Sequence, residues 1–591
     1  MKILSLLIFL FIIINLQPVA QELPHWMTGE ELMMLEKYGY PQYHLFSDPP
    51  PSPVRGMAEW EELQGIIITW AGSSFLNILR QVTDYAQEEG KVFIICSDSN
   101  SVKNYLQAGS VSLYNIEYLI TLFNSIWVRD YGPWSAYTIG VDTINIIDWI
   151  YNRPFRPLDD AIPVFFANYI GASIYQTTTP PYDLIHSGGN LMVDGHGTAL
   201  SSKLILDENP SKSEAQIDVI MNKFLGTDRY IKMDNLPYDG IHHIDMHMKL
   251  LDEETLLVGE YPPGVADGPQ IEANLQYILN NFQTCFGRPY KVVRILMPPD
   301  QYGRYPDAGG FYRTYTNSII INKTVIIPTY EYQYDTTAFR IYREAMPGYN
   351  IVGINSNLII PSLGAIHCIV KEVGVSEPVW ISHSKMDSVV YDEDSIAVNA
   401  VIKTKSGIAN AYIYWTADST LGFNSVLMQF INGDTALGYI PQQLDGTEIF
   451  YYISATSNSG RTITKPLVAP EGHYKFIVEN SVTGIAEEIY PEQFYLSQNY
   501  PNPFNPSTKI RFAVPQDVRG KTKEVILKVY DVIGNEVTTL VNEALHPGEY
   551  EVEFTTGQSG STELNVLTSG IYFYRLQVGS FMESKKMILL K

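Results

Sequence analysis

A chain of 591 residues is too long for one hydrophobic core, and at roughly 100–200 residues per domain it divides into about three or more. Its 64 acidic against 40 basic residues give a net charge of −24, which argues against nucleic acid as the main partner, since phosphate binding needs a basic surface, and suits a cationic substrate. Three cysteines, Cys96, Cys285 and Cys368, exclude a disulfide scaffold and leave at least one thiol unpaired.

Residues 1–20, MKILSLLIFLFIIINLQPVA, combine a basic Lys2, an apolar run from Ile3 to Ile14 and a small-residue site ending at Ala20. This reads as a secretory signal cleaved before Gln21, because the run falls short of the roughly 20 residues that span a bilayer. No later segment qualifies as a span, so no stable membrane span is expected after cleavage.

From residue 21 to about 375 a hairpin, a helix and a strand recur. The copies are EELQGIIITW with LRQVTDYAQEEG and KVFIIC; NLMVDGHGTALSSKLILDEN with EAQIDVIMNKFLG; MHMKLLDEETLLVGEY with IEANLQYILNNF and KVVRILM; and NSIIINKTVIIPTYEY with AFRIYREAM and NIVGIN. Turns at DG, DEET and NK fit tight hairpins. Self-similar units that cannot bury a face alone predict an α/β domain of radially stacked units.

From Glu377 to Val478 short alternating strands separated by turn residues predict an immunoglobulin-like or fibronectin-like β-sandwich over 376–480. A linker is expected at 481–492 and a last β domain at 493–591. In that last piece NYPNPFNPSTKIRF, VYDVIGNEV, SGIYFYRL and KKMILLK resemble the C-terminal sorting domain of the type IX secretion system. The resemblance implies the type IX machinery as a partner and an extracellular or cell-surface destination reached through the periplasm.

Four polar clusters interrupt the apolar periodicity at repeat starts: NSIWVRDYGPW (124–134), LIHSGGNLMVDGHGT (184–198), GIHHIDMH (240–247) and GAIHC (364–368). Radial stacking would bring them to one pocket holding a thiol, an imidazole and two carboxylates. A thiolate is a nucleophile that a neighbouring imidazolium favours. Paired carboxylates bind a planar guanidinium through charge-assisted hydrogen bonds. The chemistry these residue types suggest is attack on a guanidinium carbon.

WVRDYGPW, GGNLMVDGHG, HHIDMH, TYTNS and GAIHC, in this order between Met57 and Val373, resemble the agmatine deiminase and bacterial (Porphyromonas-type) peptidylarginine deiminase family. The resemblance implies a pentein fold, a five-bladed α/β propeller. It also implies Cys368 as nucleophile, His243 as general acid/base, Asp130 and Asp245 as guanidinium-binding carboxylates, and Asn317 and Trp127 as lining of the same site. No cofactor and no metal are implied. His243 and His247 would suit zinc on a helix, but the flanking MKLLDEETLLVG reads as strand, where that spacing makes no pair. His367 is expected on the opposite face of a strand from Cys368, away from the chemistry.

Two features bear on the substrate. Agmatine-specific relatives carry an acidic residue before the paired glycines, where this chain has Ser187. Arg153 and Arg156 in YNRPFRPLDD could grip a carboxylate, such as that of a C-terminal arginine, or could pair with Asp159 and Asp160 as ordinary loop arginines. Together with export, this favours conversion of peptide arginine to citrulline and ammonia through a covalent thiouronium adduct. The alternatives are agmatine deimination to N-carbamoylputrescine, as in putrescine biosynthesis, and an inactive surface binding module, against which the intact set of Cys368, His243, Asp130 and Asp245 speaks.

Overall fold

The structure, a computed structural model, describes residues 22–40, 48–386, 389–392, 395–480, 493–515, 522–556 and 567–590. The expected signal peptide and the linker at 481–492 lie outside the described residues. The chain forms two compact units, 1–480 and 481–591.

The first part of the larger unit contains five small mixed sheets built on one plan. Each has a strand with an antiparallel partner on one side and, after a helical crossover, a parallel partner on the other. The central strands are Leu63–Thr69, Ile144–Tyr151, Thr198–Ser202, Thr255–Glu260 and Thr324–Thr329. Their parallel partners are Lys91–Cys96, Ser173–Thr177, Arg229–Met233, Lys291–Leu296 and Asn350–Asn355. A parallel pair needs a crossover long enough to reverse the chain, which the helices Leu76–Glu89, Ile162–Ile170, Glu214–Leu225, Gly268–Asn281 and Tyr332–Ala345 supply.

The helix Glu214–Leu225 shows why these sequences fold so. Ser213 and Gln216 form a capping box, Ile217, Ile220, Met221 and Phe224 bury one face at helical spacing, and Gly226 ends the helix at a φ of 69°. A side chain at Gly226 would meet the Val54 carbonyl at 1.9 Å.

Two features differ from the reading by pattern. The sheet centred on Ile144–Tyr151 is a copy of the unit that the pattern did not show. The first unit has no local hairpin: Leu63–Thr69 takes its antiparallel partner from Lys371–Gly374, immediately after Cys368.

Residues 380–480 form two further sheets, one ordered 380–382, 395–403, 435–441 and 429–432, the other centred on Glu448–Ser457. Alternate residues such as Ile396, Val398, Ala400, Ile402, Ile413 and Ile453 share one core between them, separate from that of the first part. Ion pairs tie the two parts together: Arg461 to Glu62 at 2.5 Å, Lys465 to Glu253 at 2.6 Å and Lys385 to Asp252 at 2.5 Å. The smaller unit has a three-stranded and a four-stranded sheet around Phe504, Ile510, Phe512, Leu527, Tyr574 and Leu576.

Among the described residues no helix is long and apolar enough to cross a membrane.

Candidate active site

Each of the five antiparallel partner strands is preceded by a short polar turn, and these turns carry the candidate site residues. Asp130 lies in the helical turn Val128–Tyr131 before the strand Trp134–Thr138, and Gly188–Asn190 precede Met192–Val193. His243 caps the 3₁₀ turn Ile244–Met246 that holds Asp245 and leads into Met248–Asp252. Asn317 precedes Ile319–Ile321, and Cys368 sits in the 3₁₀ turn His367–Ile369 before Lys371–Gly374.

The structure brings these side chains together. Asn317 Nδ2 donates to Cys368 Sγ at 3.2 Å, while Asn317 Oδ1 accepts from the backbone N–H groups of Ala365 and His367 and so fixes the turn that presents the thiol. Asp245 Oδ2 lies 3.8 Å from the sulfur, and Asp130 Oδ1 lies 3.6 Å from His243 Nδ1. Cys368, His243, Asp130, Asp245, Asn317 and Trp127 are all buried. Asp245 Oδ1 and both His243 ring nitrogens are buried without a hydrogen-bond partner, so the pocket holds polar atoms that a ligand with N–H donors would satisfy.

Electrostatics follow from this burial. Desolvation pushes the Cys368 thiol well above its ordinary range, and the neighbouring Asp245 and Asp130 push in the same direction. Desolvation lowers His243 to about 4, against the pull of Asp130. Burial would raise Asp130, but the imidazoles of His25 and His243 outweigh it and hold the carboxyl below its usual range. Burial therefore favours the neutral form of both the thiol and the imidazole.

The paired glycines of HSGGN are a steric requirement. The N–H of Gly189 donates to Asp130 Oδ1 at 3.2 Å, and a Cβ there would lie 2.5 Å from His243 Nδ1. At Gly188 a Cβ would meet the Arg129 carbonyl at 2.0 Å. Gly189→Ala is expected to lower deiminase kcat/KM by about 10²-fold, the scale of an ångström misplacement in a catalytic site, with a smaller loss of stability of about 1–3 kcal/mol. Steady-state rates and thermal melts of the same sample check this, and an unchanged rate would refute it.

One expectation is corrected. His367 is on a 3₁₀ turn and not a strand, so it is not directed away from the site: its Nδ1 meets Asp245 Oδ2 at 2.7 Å and its Nε2 meets Glu59 Oε2 at 2.8 Å. Both ring nitrogens face carboxylates, and Glu59 is held further by Lys249 at 2.7 Å and the Ile320 N–H at 2.8 Å. His367→Ala would leave Glu59 and Asp245 buried without the ring that bonds both of them. A loss of about 3–5 kcal/mol is expected in denaturant unfolding, and an unshifted midpoint would count against the bridge. MKLLDEETLLVG forms the strands Met248–Asp252 and Thr255–Glu260, as the pattern indicated, and HHIDMH is the turn that leads into them. Among the described residues the group whose ligand atoms fall within 4.8 Å of one another is His25, Asp130 and His243. Two imidazoles and a carboxylate could hold a divalent cation, although His25 and Asp130 are already in direct contact.

Arg153 and Arg156 do not hydrogen-bond Asp159. That carboxylate accepts from the Asn124 and Ser125 backbone and the Ser125 hydroxyl. Arg156 instead meets Glu31 through two hydrogen bonds, at 2.8 and 3.1 Å, and the Trp26 carbonyl at 2.9 Å. Arg153 Nε donates to the His25 carbonyl at 3.0 Å. Sequence pattern gives no sign of His25 itself. Its ring stacks on Trp127 with centroids 4.3 Å apart and donates to Asp130.

Residues 55–373 match the family model for Porphyromonas-type peptidyl-arginine deiminase. The chain belongs to this family. The enzyme is accordingly a hydrolase of the C–N bonds of linear amidines, a guanidine deiminase. Residues 498–590 match a secretion-system C-terminal sorting domain. A Legionella pneumophila (strain Paris) protein that carries the name agmatine deiminase is 25% identical over 270 residues, which is 44% of this chain and 75% of that one. One from Selenomonas ruminantium, named alike, is 23% identical over 51% of this chain and 87% of its own. The solved agmatine deiminase of Enterococcus faecalis is 20% identical over 56% of this chain and 99% of its own, with a TM-score of 0.49.

Proposed function

We propose that the deiminase converts C-terminal arginine residues of peptides to citrulline with release of ammonia, outside the cell. The observation that supports a peptide substrate is the position of Arg153 and Arg156. A side chain lying between Trp127 and Asp130 has its own backbone carbonyl against Arg153, as the His25 carbonyl is, at 3.0 Å. In a C-terminal arginine that carbonyl would be part of a carboxylate, and Arg153 would meet it with a charge-assisted bond. Agmatine has no such group, and Ser187 replaces the acidic residue of agmatine-specific relatives.

In this reading the five sheets are the blades of a five-bladed propeller, the sandwich at 380–480 is immunoglobulin-like, and the sorting domain directs type IX export to the cell surface or beyond. The substrate guanidinium lies between Asp130 and Asp245 and takes up the unpartnered Asp245 Oδ1. Its positive charge offsets the two carboxylates that add to burial in keeping the thiol protonated, so the substrate itself favours the thiolate. Cys368 passes its proton to His243 and its Sγ adds to the guanidinium carbon, His243 delivers that proton to the departing nitrogen, the C–N bond breaks and ammonia leaves a thiouronium adduct. His243 then takes a proton from water, whose oxygen adds to the same carbon. The C–S bond breaks and the ureido product leaves. Asn317 holds the sulfur throughout.

The test is ureido product, by colour assay, from a C-terminal arginine peptide, an internal arginine peptide, free arginine and agmatine. The expected order places the C-terminal arginine peptide first by at least tenfold in kcat/KM, and Arg153→Ala raises KM for that peptide alone. A preference for agmatine would move the enzyme to polyamine chemistry.

A further inference from the structure

The catalytic pocket is not empty of protein: the segment Leu23–Tyr38 runs across it. We infer that this segment is an autoinhibitory pseudosubstrate that must leave before substrate can enter; this rests on the peptide-arginine reading of the same site.

Five contacts place the segment where a substrate would lie. His25 Nδ1 donates to the Leu363 carbonyl at 2.7 Å, and Nε2 faces the Asp130 carboxylate. The flat ring thus lies between a carbonyl and a carboxylate and is stacked on an indole, which is how a guanidinium would be held there. The His25 carbonyl occupies Arg153. Glu31 presents a carboxylate to Arg156, and both of its oxygens are bonded. The Trp127 indole N–H donates to the Leu23 carbonyl at 2.9 Å. The segment thus uses the cation site, the aromatic wall and both arginines at once. With it in place Cys368 and His243 are each 0% exposed.

The way the segment is anchored suits it for release. Its helix Gly29–Tyr38 is started by a capping box between Thr28 and Glu31, and of its ten residues only Glu31 is buried. Leu32, Met33 and Tyr38 are exposed, and none of the segment's residues belongs to the hydrophobic core of the catalytic part. Polar contacts and the stacking of His25 on Trp127 hold it, and these are the contacts a substrate would replace. Tethering gives such a segment an effective concentration of the order of millimolar, enough to occupy a weak site.

The experiment uses full-length protein and two readouts. A chloroacetamidine, a cationic amidine that alkylates a thiol with loss of chloride, reports access to Cys368 by mass spectrometry without any need for turnover. His25→Ala/Glu31→Ala is expected to raise the labelling rate and the deimination rate at least tenfold over wild type. Labelling no faster than wild type would overturn the inference. Faster labelling with no product from any arginine substrate would uphold it and sink the substrate reading instead. In wild-type protein, an adduct on Cys368 must displace His25, so amide hydrogen exchange across Gly29–Tyr38 is expected to quicken once the thiol is labelled. Unchanged protection of that helix in the labelled protein would also overturn it.

Discussion

Cys368→Ala is expected to abolish ureido product from every guanidine substrate, a fall of at least about 10⁴-fold, because the proposed covalent mechanism has no substitute nucleophile in this pocket. The two other cysteines cannot replace it. Burial raises Cys96 to about 11, it lies in the strand Lys91–Cys96, and it is in none of the polar turns. Binding should survive, since Asp130, Asp245 and Trp127 are untouched. Removing the sulfur costs Asn317 one acceptor, and its carbonyl still holds the Ala365 and His367 N–H groups. Calorimetric titration with a C-terminal arginine peptide should therefore show affinity within about tenfold of the wild-type KM, where turnover has vanished. In the wild type, the raised thiol sets a second expectation. Below its pKa the thiolate fraction grows tenfold per pH unit, so alkylation of Cys368 by neutral iodoacetamide should climb steadily from about pH 7 through 9. A rate already level at pH 7 would mean that the free thiol is ionised, and that the cation is not needed to activate it.

The candidate site was legible because its residues sit in turns, where polar residues interrupt an apolar period and leave a visible mark. Cys368, His243, Asp130 and Asp245 all carry that mark, Asn317 was named only by the family resemblance, and four of the five sheet units could be seen in the alternation of hairpin and helix patterns. The fifth was hidden by the residues beyond its central strand: the arginine turn 152–157 and Pro163 near the start of the helix Ile162–Ile170 break the period. The pairing of Lys371–Gly374 with Leu63–Thr69 joins residues about 300 positions apart, and hydrophobic alternation says which face a strand buries but not which strand lies beside it. His367 was misplaced for a local reason. In a strand, neighbours point to opposite faces, whereas in a 3₁₀ turn each residue advances a third of a rotation and two neighbours can reach one pocket. His25 had no pattern at all. The T-x-x-E box at Thr28 and Glu31 announces a helix start, yet nothing in sequence order says that the residue three positions before the cap reaches the aspartate at position 130.

Asp130→Asn separates cation binding from access, because the carboxylate serves both. It keeps the shape of the side chain and removes its charge, and the amide nitrogen must face either the Gly189 N–H or His25, which are both donors to the native oxygens. For guanidine substrates a fall in kcat/KM of about 10²–10³-fold is expected, the scale of removing one partner from a buried, hydrogen-bonded charge pair. Two other effects run the opposite way. Loss of the anion removes one of the causes that raise the Cys368 thiol, which favours thiolate. It also removes the partner of the His25 ring, which loosens the segment over the pocket. A neutral alkylating agent should therefore label Cys368 faster in Asp130→Asn than in wild type, while a cationic chloroacetamidine, which needs the carboxylate to be oriented, should gain less or lose. The ratio of the two labelling rates is the measurement. A ratio equal to that of wild type, with both rates shifted together, would show that Asp130 governs access alone and that the guanidinium is held by Asp245.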